Sequence, residues 1–346
     1  MSGICYGKNV RENWAVLELM SNMTSRGKII CVNLGILAGL LTAAIAAYAV
    51  MQGSIGARFY AKTLLEGSAA DRLKAATNLQ TFGSSGAPAV PGLMRVLQNP
   101  DDPVAPACAR ALRKIDPQAA YQCVTALIEN KVRLTPTAIE VLGNFGPIAW
   151  RGIPLARTAL GRTQHIRTLL PALIDMGDYS DVVIAAVVED SRDPVYSVRK
   201  WDAMLAFDRL ADLGDRIRPE LERLTDDSTP AVSGQAKTIL ARIRNQPKYA
   251  VSGLKGFPGL DQGYQEYALD RLSKQGARAA DAIPEIVSEL HSKSPLIRFM
   301  AAWTLMHIGS PARSALTELR TTQADPISLV RDGAGDAIRV IEGGAQ

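Results

Sequence analysis

The chain has 346 residues, of which 47% are hydrophobic and only 5% aromatic, and its formal net charge is +5. This alanine-rich, aromatic-poor composition favours close-packed helices over sheets. An excess of five positive charges over this length is small for a protein that binds a phosphate backbone, so we expect no nucleic-acid partner.

The most apolar part of the chain lies near its N-terminus. Residues 1–28 are polar to mixed in character and predict an N-terminal tail. The next 23 residues, 29–51, contain no charged side chain. At about 1.5 Å rise per residue, a helix of that length reaches roughly 34 Å, enough to cross a hydrocarbon core of about 30 Å. Residues 29–51 therefore predict one transmembrane helix.

The charges that flank this segment predict its orientation. Four Lys or Arg residues precede it, with Arg26 and Lys28 at its edge, whereas only Arg58 and Lys62 lie in the eighteen residues that follow. Because Lys and Arg favour the cytoplasmic side, we expect the N-terminus inside and the rest of the chain outside the cytoplasmic membrane, in the periplasm or beyond. The alternative is a signal peptide cleaved near Ala47-Tyr48-Ala49, after which the chain is secreted.

Small residues recur every four positions within the apolar segment, at Gly35, Gly39, Ala43 and Ala47. Such a stripe lets two membrane helices approach closely and would support a homodimer. Glycine and alanine are also simply common in membrane helices, so the stripe fits either interpretation.

A repeated pattern begins at residue 68, after a predicted linker over 52–67. In the best copy, counted from Arg298, small residues fall at +3 and +4, Leu305 at +7, Ile308 at +10 and Gly309 at +11. These offsets share one face of a helix, and the glycine suits a left-handed cap. A period of 30 to 37 residues predicts stacked supersecondary units. The copies end at residues 83, 116, 146, 177, 214, 244, 276, 309 and 342.

A second helix is expected after each cap. Pro91, Pro154 and Pro284 each lie eight residues after a glycine cap. Since proline inside a helix costs about 3 kcal/mol, its return at one register predicts a kink or a helix start that belongs to the unit.

The repeated unit resembles a known family. Residues 296–309 read Leu-Ile-Arg-Phe-Met-Ala-Ala-Trp-Thr-Leu-Met-His-Ile-Gly, and Val-Arg recurs at 198–199 and 330–331. This signature resembles the short bacterial HEAT-like repeats that also occur in phycobilisome-lyase-related proteins. The resemblance implies an all-α fold, an α-solenoid of about nine HEAT-like helix pairs over 68–346, preceded by the transmembrane helix. It also implies curved faces that bind other proteins or, as an alternative, a lyase-like or chaperone-like factor that attaches a tetrapyrrole to a protein.

One unit departs from the pattern. The second helix expected after residue 244 is replaced by 245–263, which holds four glycines and two prolines. The resulting notch would be lined by Lys248, Tyr249, Lys255 and Phe257, which we regard as a candidate partner-binding site. A tolerated irregularity or a hinge is the alternative interpretation.

Trp150 and Arg151 form a second candidate partner-binding site, because Trp and Arg are typical interface anchors. The tryptophan could equally fill the gap between two units. By the same reasoning, an arginine at the start of the pattern could bridge to an acidic residue in the next unit.

Few residues suggest chemistry. Cys108 and Cys123 lie eight residues before and seven residues after Asp116, on two helices predicted to be antiparallel. This spacing allows either a disulfide in an oxidising compartment or two buried thiols. The sequence contains no Cys-x-x-Cys, Gly-x-Ser-x-Gly or His-Glu-x-x-His motif. We therefore expect no metal, no cofactor and no catalysis, but a membrane-anchored scaffold that binds other proteins.

Overall fold

The computed structural model describes residues 53–130, 132–160, 166–192, 197–244 and 262–343. This part of the chain is 82% helical and holds no strand, which confirms the all-α class. Every helix within it is too short or too polar to cross a bilayer. The predicted transmembrane segment, with Gly35, Gly39, Ala43 and Ala47, lies outside the described residues.

The chain divides into two compact units, Met1–Gly56 and Ala57–Gln346, and the repeats belong to the second. After a helix over 53–66, α1, first and second helices alternate along the described chain up to residue 244 and again from residue 262. The first helices are α2 (Ala69–Leu79), α4 (Ala105–Ile115), α6 (Pro136–Phe145), α8 (Ile166–Asp175), α10 (Ser197–Arg209), α12 (Pro230–Arg244), α13 (Gln262–Gln275), α15 (Pro295–Ile308) and α17 (Ser328–Ile341). The second helices are α3 (Val90–Leu97), α5 (Pro117–Glu129), α7 (Ile153–Arg157), α9 (Asp181–Ser191), α11 (Arg218–Leu224), α14 (Ile283–Glu289) and α16 (Leu316–Thr322).

The recurring prolines mark the start of a second helix. Pro91, Pro154 and Pro284 each lie in the first turn of such a helix, directly after a 3₁₀ stretch. Proline is tolerated there because its missing N–H would have no acceptor within the helix. The preceding 3₁₀ stretches are Gly83–Ala89, Gly146–Gly152 and Gly276–Ala282.

The predicted glycine caps have the expected positive φ, but their ψ is not that of a left-handed helix. Glycines 83, 146, 177, 214, 276 and 309 have φ between +51° and +94°. However, ψ is −144° at Gly146 and −140° at Gly309, far from the left-handed helical region. Glycine is the residue that enters this backbone region readily, which explains why it recurs at these turns.

A repeated ion pair couples neighbouring units. In the first unit, Arg72 at the start of α2 donates to Asp102 over 2.6 Å, and the other oxygen of Asp102 accepts the backbone N–H of Val104 over 2.9 Å. One carboxylate thus joins two units and orders the turn that begins the second. The same arrangement recurs with Lys200, Asp227 and Thr229, and with Arg298, Asp325 and Ile327.

The first helices pack side by side in two series, from α2 to α12 and from α13 to α17. We call residues 57–244 the N-terminal block and residues 262–343 the C-terminal block. The C-terminal block folds back along the N-terminal block: Glu266 pairs with Arg113, and the backbone N–H of Leu329 donates to the Gln118 side chain over 3.1 Å. An open stack, in which each unit touches only its sequence neighbours, does not include such contacts.

The folding back explains why α15, the best copy of the pattern, is buried on all sides. Both its apolar face and residues that would face solvent in an open stack are covered, including Phe299 and Met300, which have no exposed surface. Helices α13 and α17 flank it, α14 packs behind it, and the N-terminal block covers its remaining face through Trp150 and Gly177.

We predict that alanine is far more damaging at Gly177 than at Gly83. Both glycines have positive φ, which by itself costs an alanine about 1 kcal/mol. A Cβ at Gly83 would meet nothing within 4 Å, whereas a Cβ at Gly177 would lie 2.1 Å from Cζ2 of Trp303. Urea denaturation followed by circular dichroism should show a loss of about 1 kcal/mol for Gly83→Ala and about 3 kcal/mol for Gly177→Ala. Equal losses would contradict the packing of Trp303 on Gly177.

Candidate binding site

A cleft of about 1070 Å³ lies where the two blocks meet, and we call it the joint cleft. The N-terminal block contributes the turn at Gly146–Gly152, helix α7 and the residues that follow α8. The C-terminal block contributes residues of α13, α15 and α17. The site therefore exists only because the chain folds back on itself.

Aromatic rings form one wall of the joint cleft and hold the blocks together. The Trp150 ring stacks on Tyr121 with 5.5 Å between centroids and an interplanar angle of 9°. On its other sides Trp150 meets Phe299 at 5.1 Å and Trp303 at 6.2 Å. Aromatic pairs of this kind contribute about 0.5–1.5 kcal/mol beyond the area they bury. Trp150 thus fills a gap between the two blocks and not a gap between two units that are adjacent in sequence.

Asp336 is the polar centre of the contact between the two blocks, which we call the joint. Its carboxylate accepts hydrogen bonds from Trp150 Nε1 at 2.8 Å, from Arg151 Nε at 3.2 Å and from Arg339 at 2.7 Å. The Asp336 side chain is only 12% exposed, so these three donors replace most of its water. Because two of the donors come from the N-terminal block, the carboxylate fixes the orientation of α17 on that block.

A second carboxylate extends this network. Tyr121 donates its hydroxyl proton to Asp332 over 2.6 Å and accepts a hydrogen bond from Arg151 over 2.9 Å. Burial, together with the hydrogen bond to Asp332, raises the pKa of Tyr121 well above its usual value. The tyrosine is therefore a protonated donor at neutral pH, and it ties α5 to α17.

Trp150 and Arg151, which the sequence suggested as partner anchors, are thus brought together in an intramolecular contact. Trp150 is 8% exposed, whereas the Arg151 side chain is 43% exposed and can still be reached from solvent. Their contact with a partner protein stays a prediction.

Charged residues surround the rest of the cleft. Arg157 donates two hydrogen bonds, of 2.6 and 2.7 Å, to the buried carboxylate of Asp178. Arg216 pairs with Asp181 at 2.6 Å, but this pair is open to solvent, with side-chain exposures of 43% and 96%. The buried Asp178 carboxylate with its two hydrogen bonds is therefore a fixed part of the wall, whereas the exposed pair of Arg216 and Asp181 is weak and can exchange.

His307 lies deep in the cleft and links the blocks through the backbone. Its Nδ1 is 3.0 Å from the carbonyl oxygen of Trp303, and its Nε2 is 3.2 Å from the carbonyl oxygen of Gly177. Burial lowers the pKa of His307. The imidazole is therefore neutral at neutral pH and donates to only one of the two carbonyls.

The other residues singled out from the sequence do not meet at this cleft. Cys108 and Cys123 are buried free thiols, so the disulfide that their spacing allows is not formed here. Burial raises the pKa of Cys108 to about 12 and that of Cys123 to about 11, which makes both thiols unreactive. Within the described ranges, no group of three or more His, Cys, Asp or Glu could hold a metal ion. Residues Lys248, Tyr249, Lys255 and Phe257 lie outside those ranges.

Sequence reasoning missed most of the cleft. Asp178 and Tyr179 directly follow the cap at Gly177. Both side chains can form hydrogen bonds, whereas apolar residues predominate in the helices on either side, α8 and α9. Asp332 and Asp336 are four residues apart and so lie on one face of α17. These were the available signals, but neither identified the partner residues, which are far away in the chain.

Comparison with known proteins does not show a family for the chain. It matches no protein-family model and none of the curated proteins. It is similar to two engineered proteins with crystal structures from the Northeast Structural Genomics Consortium. One is 19% identical, with 84% of this chain and 89% of that chain covered and a TM-score of 0.31. The other is 15% identical, with 83% and 97% covered and a TM-score of 0.27.

We predict that the joint depends on the charge of Asp336. Asp336→Asn keeps the shape of the side chain but removes the negative charge that Arg151 and Arg339 share and leaves Arg151 only its longer pair with Asp332, which should lower the free energy of unfolding by about 2–4 kcal/mol. Asp181→Asn is the matched control, since its exposed pair with Arg216 should contribute less than about 1 kcal/mol. Urea denaturation of both variants measures the difference. A loss at Asp336 no larger than that at Asp181 would mean that the network does not hold the blocks together.

Proposed function

We propose that this chain is a membrane-anchored, non-catalytic scaffold that binds other proteins, built as an α-solenoid of HEAT-like helix pairs. The repeated unit supports this proposal. First helices pack side by side, and the same pairing of a basic residue with an aspartate joins successive units at three places. Stacks of this kind present extended surfaces that bind other chains. The anchor is the apolar segment 29–51.

The packing of the C-terminal block narrows the surface left for a partner. The C-terminal block covers α5 and the turn Gly146–Gly152. Helix α9 begins at the edge of the joint cleft, because Asp181 is its first residue and lines the cleft. The next residue on α9, Val182, is 56% exposed, and this exposed apolar side chain beside a residue that lines the cleft is the observation that carries the proposed location.

The proposed location is tested by site-specific photocrosslinking in native membranes. A photoreactive residue at Val182 should capture one discrete partner, and untagged full-length protein should compete for it. Leu73 on α2 is the matched control, because it is also apolar and 48% exposed. Equal capture at both positions, or none at Val182, would remove α9 from the binding surface.

Two expectations from the sequence remain alongside this proposal. The stretch 245–263 is a further candidate contact for a partner, and the small-residue stripe from Gly35 to Ala47 is a candidate dimer contact. The tetrapyrrole-attaching function is the alternative that the family resemblance implies. It stays a prediction.

A further inference from the structure

One side of α1 fixes this helix on the first repeat unit. Ala57 and Leu64 have no exposed surface, and the ring of Tyr60 meets that of Phe82 at 5.8 Å between centroids. Near the end of α1 the carbonyl oxygen of Leu64 accepts a hydrogen bond from Arg72 Nε over 2.8 Å. These contacts determine which side chains of α1 point away from the repeats.

The opposite side of α1 exposes two large apolar side chains and two basic ones. Phe59 is 66% exposed and Leu65 is 46% exposed. Arg58 and Lys62 are exposed on the same side of the helix. Because successive residues of a helix are about 100° apart, these four positions span only about 120° of its circumference. They form one surface, which we call the outer face of α1.

The basic side chains of the outer face are available to an anionic surface. Lys62 pairs with Glu66 over 3.7 Å, but the two side chains are open to solvent, with exposures of 73% and 67%. An exposed pair of this kind is weak and can exchange. Arg58 forms no ion pair with any of the described carboxylates. Both positive charges can therefore turn towards an anion at little cost.

The outer face of α1 also lies close in the chain to the apolar segment. Residues 29–51 end seven positions before Arg58. At no more than about 3.6 Å per residue, even a fully extended chain would keep Arg58 within roughly 25 Å of that end. An anchor at 29–51 therefore holds the outer face beside the bilayer.

A lipid surface is the partner that these four side chains fit. Helices that lie in a bilayer interface combine Phe or Leu with Lys or Arg: the apolar groups enter the boundary of the acyl chains, and the long basic side chains reach the phosphates. Each Lys or Arg adds attraction to anionic lipids. Because the anchor gives α1 a high effective concentration beside the bilayer, a face of four side chains is enough to make contact.

We propose, on the premise of the membrane anchor proposed above, that the outer face of α1 lies in the headgroup layer of the same bilayer. Phe59 and Leu65 enter the boundary of the acyl chains, and Arg58 and Lys62 bind anionic headgroups. Because α1 is packed on the first repeat unit, this contact fixes the direction in which the repeats leave the membrane surface.

The contact is tested by fluorescence quenching in nanodiscs of phosphatidylcholine and phosphatidylglycerol. The full chain, with its native cysteines replaced, carries one fluorophore on Leu65→Cys, and the lipids carry a nitroxide either near the headgroup or near the end of the acyl chain. Since interfacial groups lie about 5–10 Å deep, the nitroxide near the headgroup should quench residue 65 at least about threefold more strongly than Leu205→Cys. Leu205 is the matched control, because it is also 46% exposed but lies on α10. Equal quenching at both positions would overturn the proposal.

A third label separates this contact from the anchor. A fluorophore on Leu40→Cys, inside the apolar segment, should be quenched by the nitroxide near the end of the acyl chain. Quenching at residue 40 but not at residue 65 would overturn the contact and leave the anchor in place. Absence of quenching at residue 40 would overturn the anchor, and the contact with it. A label at residue 65 that neither lipid nitroxide nor aqueous iodide quenches would show that a protein chain covers the face, which also overturns the proposal.

Charge reversal tests the role of the basic side chains. The double variant Arg58→Glu, Lys62→Glu should lower the quenching at residue 65 about threefold, because the face then repels anionic lipids. Lys237→Glu with Arg313→Glu is the matched control, since both residues are exposed and lie outside α1, and it should leave the quenching unchanged. The helical circular dichroism of both variants should stay that of the native sequence. Unchanged quenching in the first variant would contradict the assignment of Arg58 and Lys62 to anionic headgroups.

Discussion

The close approach of the Trp303 indole to Gly177 is the contact on which the two-block structure depends. The ring occupies the space that a Cβ at residue 177 would take, 2.1 Å from where that atom would lie. With the indole in this position, His307 reaches the Gly177 carbonyl, and Trp150 packs on the rings of α15. The first helix of the next unit, α17, then carries Asp336 to the indole N–H of Trp150. The absence of a side chain at Gly177 thus allows the contact on which the placement of α15 and α17 depends.

Polar pairing gives this joint its orientation, whereas apolar burial gives it most of its driving force. Large rings would pack in several ways, because dispersion and hydrophobic contacts are not directional. The carboxylates of Asp332 and Asp336 need their donors, and only one placement of α17 supplies Tyr121, Trp150 and Arg151 together. The same placement leaves an opening where the blocks diverge, and this opening is the joint cleft.

Local features of this structure could be predicted from sequence, and the joint could not. The helix pairs, the helix-starting prolines and the bridging role of Arg298 follow from periodicity and from contacts between adjacent units. By contrast, Trp150 and Asp336 are 186 residues apart, and nothing in the local pattern of either marks the other. One signal was available: α15 lacks a polar face, and a helix that is apolar all round is normally buried on every side. The absence of a polar face predicts that another surface covers α15, but it does not identify that surface.

The central claim is that the C-terminal block lies against the N-terminal block, and crosslinking between α5 and α17 tests it most directly. Gln118 and Ser328 are joined side chain to side chain over 2.7 Å. Full-length protein with Gln118→Cys and Ser328→Cys, and with its native cysteines replaced, should react with a short bis-maleimide to give one intramolecular crosslink at the monomer mass. The crosslink should disappear when the protein is first unfolded in urea. Single labelling of each cysteine in the native protein, without a crosslink, would show that the units form an open stack and would contradict the account.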